Sequence, residues 1–177
     1  MAEEFVNNYV VLDIETTGFD SYNDSIIEIS AVKVVNKEIV EVFSHLILID
    51  FPLSAFTTNL TGITNENIWT EGRPINEVLE KLIKFVGNDV IVGHCIRFDL
   101  GFINANLEKL FDLSITNISI DTCALAKKFY RNVLNHKLET LAKAVNTTYF
   151  PSHRALNDCL ATYELYEGMR KINERKQ

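Results

Sequence analysis

The sequence predicts an α/β fold, with a mixed five-stranded sheet that carries helices on both of its faces. Its first part shows the two-residue alternation of strands, and its later part shows the helical period with two short buried strands in between. Consecutive strands followed by alternating helices and strands indicate such a mixed sheet. The chain has 177 residues, 47% of them hydrophobic, which is enough for one well-buried core, so we expect a single domain over residues 1–177.

Three predicted strands come first in the chain. An apolar run over residues 9–12 leads directly into residues 13–15, so the first predicted strand ends in two acids. Alternating and β-branched residues predict two further strands, over about 27–35 and 39–49. Because only Asn36 and Lys37 separate these two strands, we expect a hairpin with antiparallel neighbours.

The helical part begins at Pro74, a residue that suits the first turn of a helix. Apolar residues from Ile75 to Val86 fall on one helical face, and Gly87 ends the pattern. A second helix is predicted around Phe98 to Leu107. The remaining predictions are strands at 90–92 and 118–120 and helices over about 122–130, 137–145 and 154–172.

The charge is unevenly distributed along the chain. A net charge of −7 argues against a protein that coats nucleic acid by bulk electrostatics. Residues 1–80 hold 14 acids and 3 bases, whereas residues 81–177 hold 10 acids and 14 bases. Segment 127–143 has two interpretations, a strip that tracks phosphates or a solvated helix face. Its five bases are Lys127, Lys128, Arg131, Lys137 and Lys143, against Glu139 alone.

Targeting signals and paired cysteines are both missing from the sequence. The N-terminus lacks a basic segment followed by an apolar run, and no apolar stretch approaches the roughly 20 residues of a membrane-spanning helix. Cys95, Cys123 and Cys159 form no CxxC pair and no zinc pattern, so we expect reduced, mostly buried thiols. These observations predict a cytoplasmic protein without a membrane partner, and we expect the chain to be a complete small protein rather than an excised domain.

Acidic residues stand where predicted strands and helices meet. Asp13 and Glu15 lie two apart on a strand, so both carboxylates point to one face, where hard cations such as Mg²⁺ or Mn²⁺ could bind between them. A solvated strand end is the alternative interpretation. Asp99 follows the strand that ends at Gly93, and would reach the same sheet edge if that strand lies beside the first. It could also be an acid that the helix dipole favours at a helix start.

His153 and Asp158 form a third feature, near the start of the last predicted helix. Five residues correspond to about 140° around a helix, so the two side chains can converge only if His153 lies in the preceding loop. Pro151 favours such a chain break. A lone histidine before a helix is often incidental, but four acids and a histidine at element ends form a joint pattern that chance rarely produces.

Three segments in order resemble the exonuclease motifs of the DEDDh 3′→5′ exonucleases. These are Asp-Ile-Glu-Thr-Thr-Gly at 13–18, Gly-His-x-x-x-Phe-Asp at 93–99 and His-Arg-Ala-x-x-Asp at 153–158. The sequence is most similar to the epsilon proofreading subunits of bacterial DNA polymerase III and the exonuclease domains of PolC polymerases, over about residues 9–167. The resemblance implies an RNase H-like α/β/α sandwich that removes nucleoside 5′-monophosphates from the 3′ end of single-stranded or frayed DNA.

The resemblance also implies a role for each site residue. It makes Asp13, Glu15, Asp99 and Asp158 ligands of two Mg²⁺ ions, for which Mn²⁺ can substitute, and His153 the general base. The resemblance leaves two arrangements open, a freestanding enzyme or one attached to a DNA polymerase subunit as its partner. The residues implied to contact the terminal nucleotide are Thr16, Thr17, Gly18, Leu60 and Phe98, with a core role as the alternative for Phe98.

The sequence departs from the family pattern at Cys95, where the second motif usually has Asn after His. A thiol replaces an amide with two donors and one acceptor, so a hydrogen bond to the site is in question but no metal ligand is lost. Arg97 stands where small residues are frequent, which indicates either a phosphate contact or a solvated side chain. Cys159 replaces a usual Ala and is expected to be structural.

Two further functions compete with a DNA exonuclease. The same four acids and histidine serve RNA-trimming exonucleases, and no 2′-hydroxyl discriminator can be identified in the sequence, although the first motif favours the polymerase-linked branch. A catalytically inactive nucleic-acid-binding or polymerase-docking module is the third alternative. The presence of all five residues argues against it.

Overall fold

The computed structural model describes residues 5–175, whose strands form one mixed five-stranded sheet in the order β3-β2-β1-β4-β5. β1 is antiparallel to β2 and β2 to β3, whereas β4 is parallel to β1 and β5 is parallel to β4. The predicted mixed sheet is confirmed. Its strands are β1 (Tyr9–Thr16), β2 (Ile26–Val35), β3 (Glu38–Leu46), β4 (Val90–Gly93) and β5 (Ser119–Asp121).

The hairpin between β2 and β3 forms at the predicted pair of residues. Asn36 and Lys37 have φ values of 51° and 71°, the left-handed conformation that a tight two-residue hairpin turn needs. β3 ends at Leu46, three residues earlier than predicted. Beyond it the backbone turns to another partner, because the N–H of Leu48 donates to the carbonyl of Arg73 and the N–H of Arg73 to the carbonyl of Leu46.

Seven helices lie within the described residues, and two of them were not predicted. Both missed helices are short and carry side-chain N-caps: Ser54 accepts from the N–H of Thr57, and Thr64 forms a capping box with Asn67. The predicted helices all form. The full set is α1 (Ala55–Thr61), α2 (Asn65–Glu71), α3 (Ile75–Val86), α4 (Arg97–Phe111), α5 (Thr122–Phe129), α6 (Leu138–Val145) and α7 (Ala155–Glu174).

Alternate residues of β1 supply two cores, one on each face of the sheet. Val10, Leu12 and Ile14 pack with α3 and α4. Tyr9 and Val11 pack with α5, α6 and α7 on the other face. Helices therefore cover both faces, as predicted, and odd-numbered positions of β1 point towards the α7 side. In the part of the chain that the structure describes, no helix combines the length and apolarity required to cross a membrane.

The prediction of mostly buried thiols is wrong for one of the three cysteines. Cys159 is buried beneath α7, Cys123 is half-buried, and Cys95 is exposed in the turn between β4 and α4. All three are free thiols.

Candidate active site

β1 carries the first two acids to the edge where the strands end. Asp13 and Glu15 lie on the same face, and Glu15 retains only 9% of its exposure. Directly across the antiparallel pair, Glu15 faces Glu28 of β2. The predicted projection of both carboxylates to one face is therefore realised, and Glu28, which is buried, is a third acid beside them.

Asp99 joins β1 through a backbone hydrogen bond. One carboxylate oxygen, Oδ1, accepts from the N–H of Ile14 at 3.1 Å, between the two acids of β1. Because β4 lies parallel to β1, the first turn of α4 starts at the edge where β1 ends. Asp99 is 3% exposed, so it is not a solvated side chain, and it also lies in the first turn of α4, where the helix dipole favours an acid.

His153 lies in the loop before α7, the arrangement that its spacing from Asp158 requires. Its φ of 53° turns the chain immediately before the helix begins at Ala155. One ligand atom from each of Glu15, His153 and Asp158 lies within 4.8 Å of the others. Asp158 is further fixed by the N–H of Ser152, which donates to Oδ1 at 3.0 Å, while His153 stays exposed to solvent.

Sequence reasoning missed the residue that docks this loop. Glu28 is buried and accepts two hydrogen bonds from Arg154, at 2.9 and 3.2 Å, and a third from the N–H of Ala155 at 2.9 Å. It thereby attaches the first residues of α7 to β2, next to His153. The antiparallel pairing of β1 with β2 places Glu28 opposite Glu15, and the sequence pattern alone gave no signal of this register.

The four predicted acids, here called the acidic cluster (Asp13, Glu15, Asp99 and Asp158), carry raised pKa values. Burial, then repulsion from Asp158 and Glu28, raises the pKa of Glu15 to about 8, and burial above all raises that of Asp99 to about 8. Burial and repulsion from Asp99 raise the pKa of Asp13. Burial also raises that of Asp158.

The acidic cluster has the composition of a divalent-cation site. Within residues 5–175, none of its four carboxylates forms an ion pair with lysine or arginine. Ionised carboxylates crowded into a buried site repel one another unless a cation intervenes, and oxygen donors favour hard cations such as Mg²⁺, Mn²⁺ or Ca²⁺. The donor set therefore fits a divalent cation.

The turn after β1 is tightly constrained. Thr16 donates to the carbonyl of Gly18 at 2.6 Å, and Thr17 accepts from the N–H of Ser25 at 2.9 Å. A Cβ on Gly18 would collide with the carboxylate of Asp24, so a side chain there would force that carboxylate to move. Phe19, which sequence reasoning did not single out, follows this turn, and its ring lies near that of Phe98, the sequence neighbour of Asp99.

Phe98 and Leu60, the two apolar side chains predicted to contact the terminal nucleotide, differ in how far they are buried. Phe98 is half-buried and packs against Phe102 at 4.9 Å between ring centroids, so the core role weighed for it is realised in part. Its other neighbour is Phe19, at 6.3 Å, which is 89% exposed. Leu60 is 43% exposed on α1, and its assignment to the substrate continues to rest on the motif.

The predicted basic strip is solvent-exposed along its length. All five of its bases, on α5, α6 and the segment between them, are exposed, and Lys143 pairs with Glu139 at 2.8 Å. Exposure is common to both interpretations, a solvated helix face and a strip that tracks phosphates.

Comparison with known proteins decides the family. A model of the exonuclease family RNase_T matches residues 10–166, which include the whole acidic cluster and His153. The chain belongs to this exonuclease family. The resemblance found in the three motifs is thereby confirmed, and the match covers nearly the whole predicted span.

Curated relatives of this exonuclease chain are DNA polymerases III of the PolC type. The one from Caldanaerobacter subterraneus subsp. tengcongensis is 41% identical over 161 residues, covering 91% of this chain. Those from Clostridium perfringens and Listeria monocytogenes are 41% and 40% identical over 174 and 169 residues. The chain spans only 11–12% of the length of these relatives.

Solved exonucleases share the fold of this family member. An exonuclease X in complex with 5′ overhanging duplex DNA superposes with a TM-score of 0.73 at 24% identity, covering 93% of each chain. E. coli exonuclease I in complex with a dT13 oligonucleotide gives a TM-score of 0.80 at 16% identity, covering 96% of this chain and 42% of the other. The predicted α/β sandwich is confirmed by both.

Proposed function

We propose that this chain is a metal-dependent 3′→5′ exodeoxyribonuclease that removes nucleoside 5′-monophosphates from single-stranded or frayed DNA ends. The observation that carries the proposal is the convergence of four carboxylates, of which Glu15 and Asp99 are buried and Asp13 and Asp158 half-buried, with an exposed histidine at the end of β1. Membership of the exonuclease family supports cleavage of nucleic acid. The polymerase relatives and the DNA-bound exonucleases favour DNA over RNA.

Each residue has a proposed task. Asp13, Glu15, Asp99 and Asp158 would hold two Mg²⁺ ions, with Mn²⁺ able to replace them. Cations held in this way would supply the activation of a water molecule and the neutralisation of charge on the scissile phosphate and the leaving 3′-oxygen. The exposed position of His153 allows its imidazole to accept the proton of the attacking water. Glu28 and Arg154 hold the loop in which His153 lies.

The turn and the apolar side chains nearby would bind the terminal nucleotide. Thr16, Thr17 and Gly18 form the turn beside the acidic cluster, and its backbone is the proposed contact for the sugar and phosphate. Leu60 would contact the last base. The half-buried ring of Phe98 and the exposed ring of Phe19 offer an apolar edge on which a base could stack.

The wider context of the reaction belongs to the same proposal. Residues 1–177 would act as one exonuclease domain, in association with a DNA polymerase, because relatives that are 41% identical to the chain are named as polymerases. The same relationship favours a cytoplasmic location. The exposed basic strip on α5 and α6 would guide the strand towards His153.

Cleavage of end-labelled strands tests the proposal. With a 5′-labelled single-stranded DNA and Mg²⁺ or Mn²⁺, we expect a ladder that shortens from the 3′ end, and a chelator should stop it. Matched DNA and RNA strands of one sequence measure the substrate preference. Labelled mononucleotide as the first product would indicate the opposite polarity, faster loss of the RNA strand would indicate an RNA-trimming enzyme, and binding without cleavage would indicate an inactive module.

A further inference from the structure

A second group of metal-ligating side chains lies outside the acidic cluster. His94 and Cys95 lie in the turn after β4, and Cys123 lies in the first turn of α5. One ligand atom of each, a ring nitrogen and two Sγ atoms, lies within 4.8 Å of the other two. Spacing along the chain hid this group, because the two cysteines are distant in sequence and meet only through the parallel pairing of β4 with β5.

We propose that His94, Cys95 and Cys123 form a binding site for a thiophilic divalent cation of the Zn²⁺ class, separate from the acidic cluster. Two sulfurs and an imidazole are a donor set typical of zinc, whereas the hard cations expected at the acidic cluster prefer oxygen. From Zn–S and Zn–N bond lengths, ligand atoms of a tetrahedral site lie roughly 3.5–4 Å apart. From the upper limit of 4.8 Å on the present spacing, the ligand atoms would have to approach one another by at most about 1.3 Å.

The imidazole of His94 is held at both of its ring nitrogens. Its Nε2 lies 2.9 Å from the carbonyl of His136, and since a carbonyl only accepts, Nε2 carries the hydrogen. The other nitrogen, Nδ1, therefore keeps a lone pair in the neutral ring, 3.0 Å from the hydroxyl of Thr122. Burial lowers the pKa of His94 and favours that neutral form. A backbone carbonyl that holds the second ring nitrogen is the usual arrangement around metal-bound histidines.

Both cysteines are fixed by one carboxylate. Oδ1 of Asp121 accepts from the N–H of Cys95 at 3.1 Å and from the N–H of Cys123 at 2.8 Å. The same carboxylate caps α5 and so ties the two thiols to the rigid end of β5. If a cation took the lone pair of His94, the hydroxyl of Thr122 could still donate to the carbonyl of Gly93, which lies 3.2 Å away.

Cys95 occupies its position at a conformational cost. Its φ of 61° is left-handed, a region that asparagine adopts more readily than other non-glycine residues. The related motif commonly has asparagine here, so this chain holds a thiol where the backbone favours an amide. Cys95 is also exposed, which leaves the site open to a cation from solvent.

A bound cation would have a structural effect near the acidic cluster. It would join the turn between β4 and α4 to the start of α5, and that turn leads into the helix that presents Asp99. Occupancy should therefore stabilise the fold, because a ligand that binds only the folded state raises its melting temperature.

Cadmium titration of the full chain tests the site directly. The protein is reduced with a phosphine and kept in excess Mg²⁺, and Cd²⁺ is followed by its thiolate-to-metal charge-transfer absorbance in the ultraviolet. We expect a band that saturates at one equivalent. Cys95→Asn and Cys123→Ser should each lower its amplitude by about half, since each removes one of two thiolates, and the double variant should abolish it. Cys159→Ala, which removes the buried thiol outside the site, is the matched control and should keep the full band.

Melting in Zn²⁺ provides a second readout that does not depend on activity. In excess Mg²⁺, Zn²⁺ should raise the melting temperature of the wild type and of Cys159→Ala, but not that of the double variant. Cys95→Asn suits the left-handed backbone and should fold, which circular dichroism checks. A wild type without a saturating band, or a band that the double variant retains, overturns the proposal.

Discussion

Buried carboxylates lie at both ends of β1, but only at the end that begins with Tyr9 does the chain place an arginine against the carboxylate. At the first end, Glu167 accepts from the hydroxyl of Tyr9 at 2.6 Å and from Arg170 at 2.8 and 3.0 Å, and all three residues are buried. At the other end of the strand, Asp13 and Glu15 lie with Asp99 and Asp158, and none of the four has a lysine or arginine partner among the described residues.

The presence or absence of an arginine partner distinguishes a structural ion pair, Glu167 with Arg170, from a binding site, the acidic cluster. A buried carboxylate with an arginine and a hydroxyl is complete within the folded chain, so it contributes to holding β1 against α7. Carboxylates that share a buried site without a counter-charge destabilise the metal-free fold, and a cation from solvent removes that cost. Glu28 shows the intermediate case, because Arg154 pairs with it at the edge of the acidic cluster.

Asp13→Asn should give the largest effect on activity. Loss of one metal ligand is expected to lower cleavage by about 10³-fold or more, since bound cations supply several kcal/mol to the transition state. The same change relieves repulsion, so the metal-free variant should melt at a higher temperature than the wild type. Asp112→Asn, at an exposed left-handed position that suits asparagine, is the matched control. Wild-type cleavage by Asp13→Asn would remove Asp13 from the site.

Glu167→Gln should have the opposite profile. Removal of one partner from a buried ion pair leaves Arg170 uncompensated, and we expect a loss of about 3 kcal/mol in the free energy of unfolding. Cleavage per folded molecule should stay at the wild-type level. Denaturant unfolding and a cleavage assay on the same samples measure both. A fall in cleavage per folded molecule would mean that the two ends of β1 are not functionally distinct.

His153→Asn tests the exposed member of the site. Asparagine tolerates the left-handed backbone at this position but cannot act as a base, so turnover should fall by about 10²–10³-fold while binding of the strand changes little. Separate measurement of kcat and KM distinguishes these effects, and His45→Asn on β3 is a control. A change confined to KM would assign His153 to substrate binding instead.

Stability of the metal-free protein should fall as pH rises. The folded chain keeps a proton on Glu15 up to about pH 8, whereas the unfolded chain releases it near the ordinary value of a glutamate. Between these two values the folded state binds more protons, so its stability decreases with increasing pH. Melting in a chelator from pH 5 to 8 should show this decline, and Glu15→Gln should flatten it. A melting temperature that rises over the same range in the wild type would contradict the account.

Periodicity predicted most of the fold because the core alternation along β1 and the apolar face of α3 are local properties. The helices α1 and α2 were missed because each has seven residues and is defined by capping at Ser54 and Thr64 rather than by an apolar stripe. β3 was predicted too long because its end is set by a partner near Arg73, a contact that the local sequence does not encode.

For the site, motifs identified the side chains that could ligate metal, but not the groups that hold them in place. Glu28 was missed because its role depends on register with Glu15 and on the docking of Arg154, both of which are tertiary. The grouping of His94, Cys95 and Cys123 was missed for the same reason, since the cysteines become neighbours only through β4–β5 pairing. Phe19 gave no signal beyond its position after the first motif.

Manganese binding tests the central claim most directly. Free Mn²⁺ gives a strong electron paramagnetic resonance signal that is lost on binding, so titration of the protein counts the bound ions without any cleavage step. The account predicts that the wild type and Glu167→Gln bind Mn²⁺ at the acidic cluster with equal stoichiometry, and that Asp13→Asn binds fewer ions. Equal binding by the wild type and Asp13→Asn would contradict the assignment of the uncompensated end of β1 as the metal site.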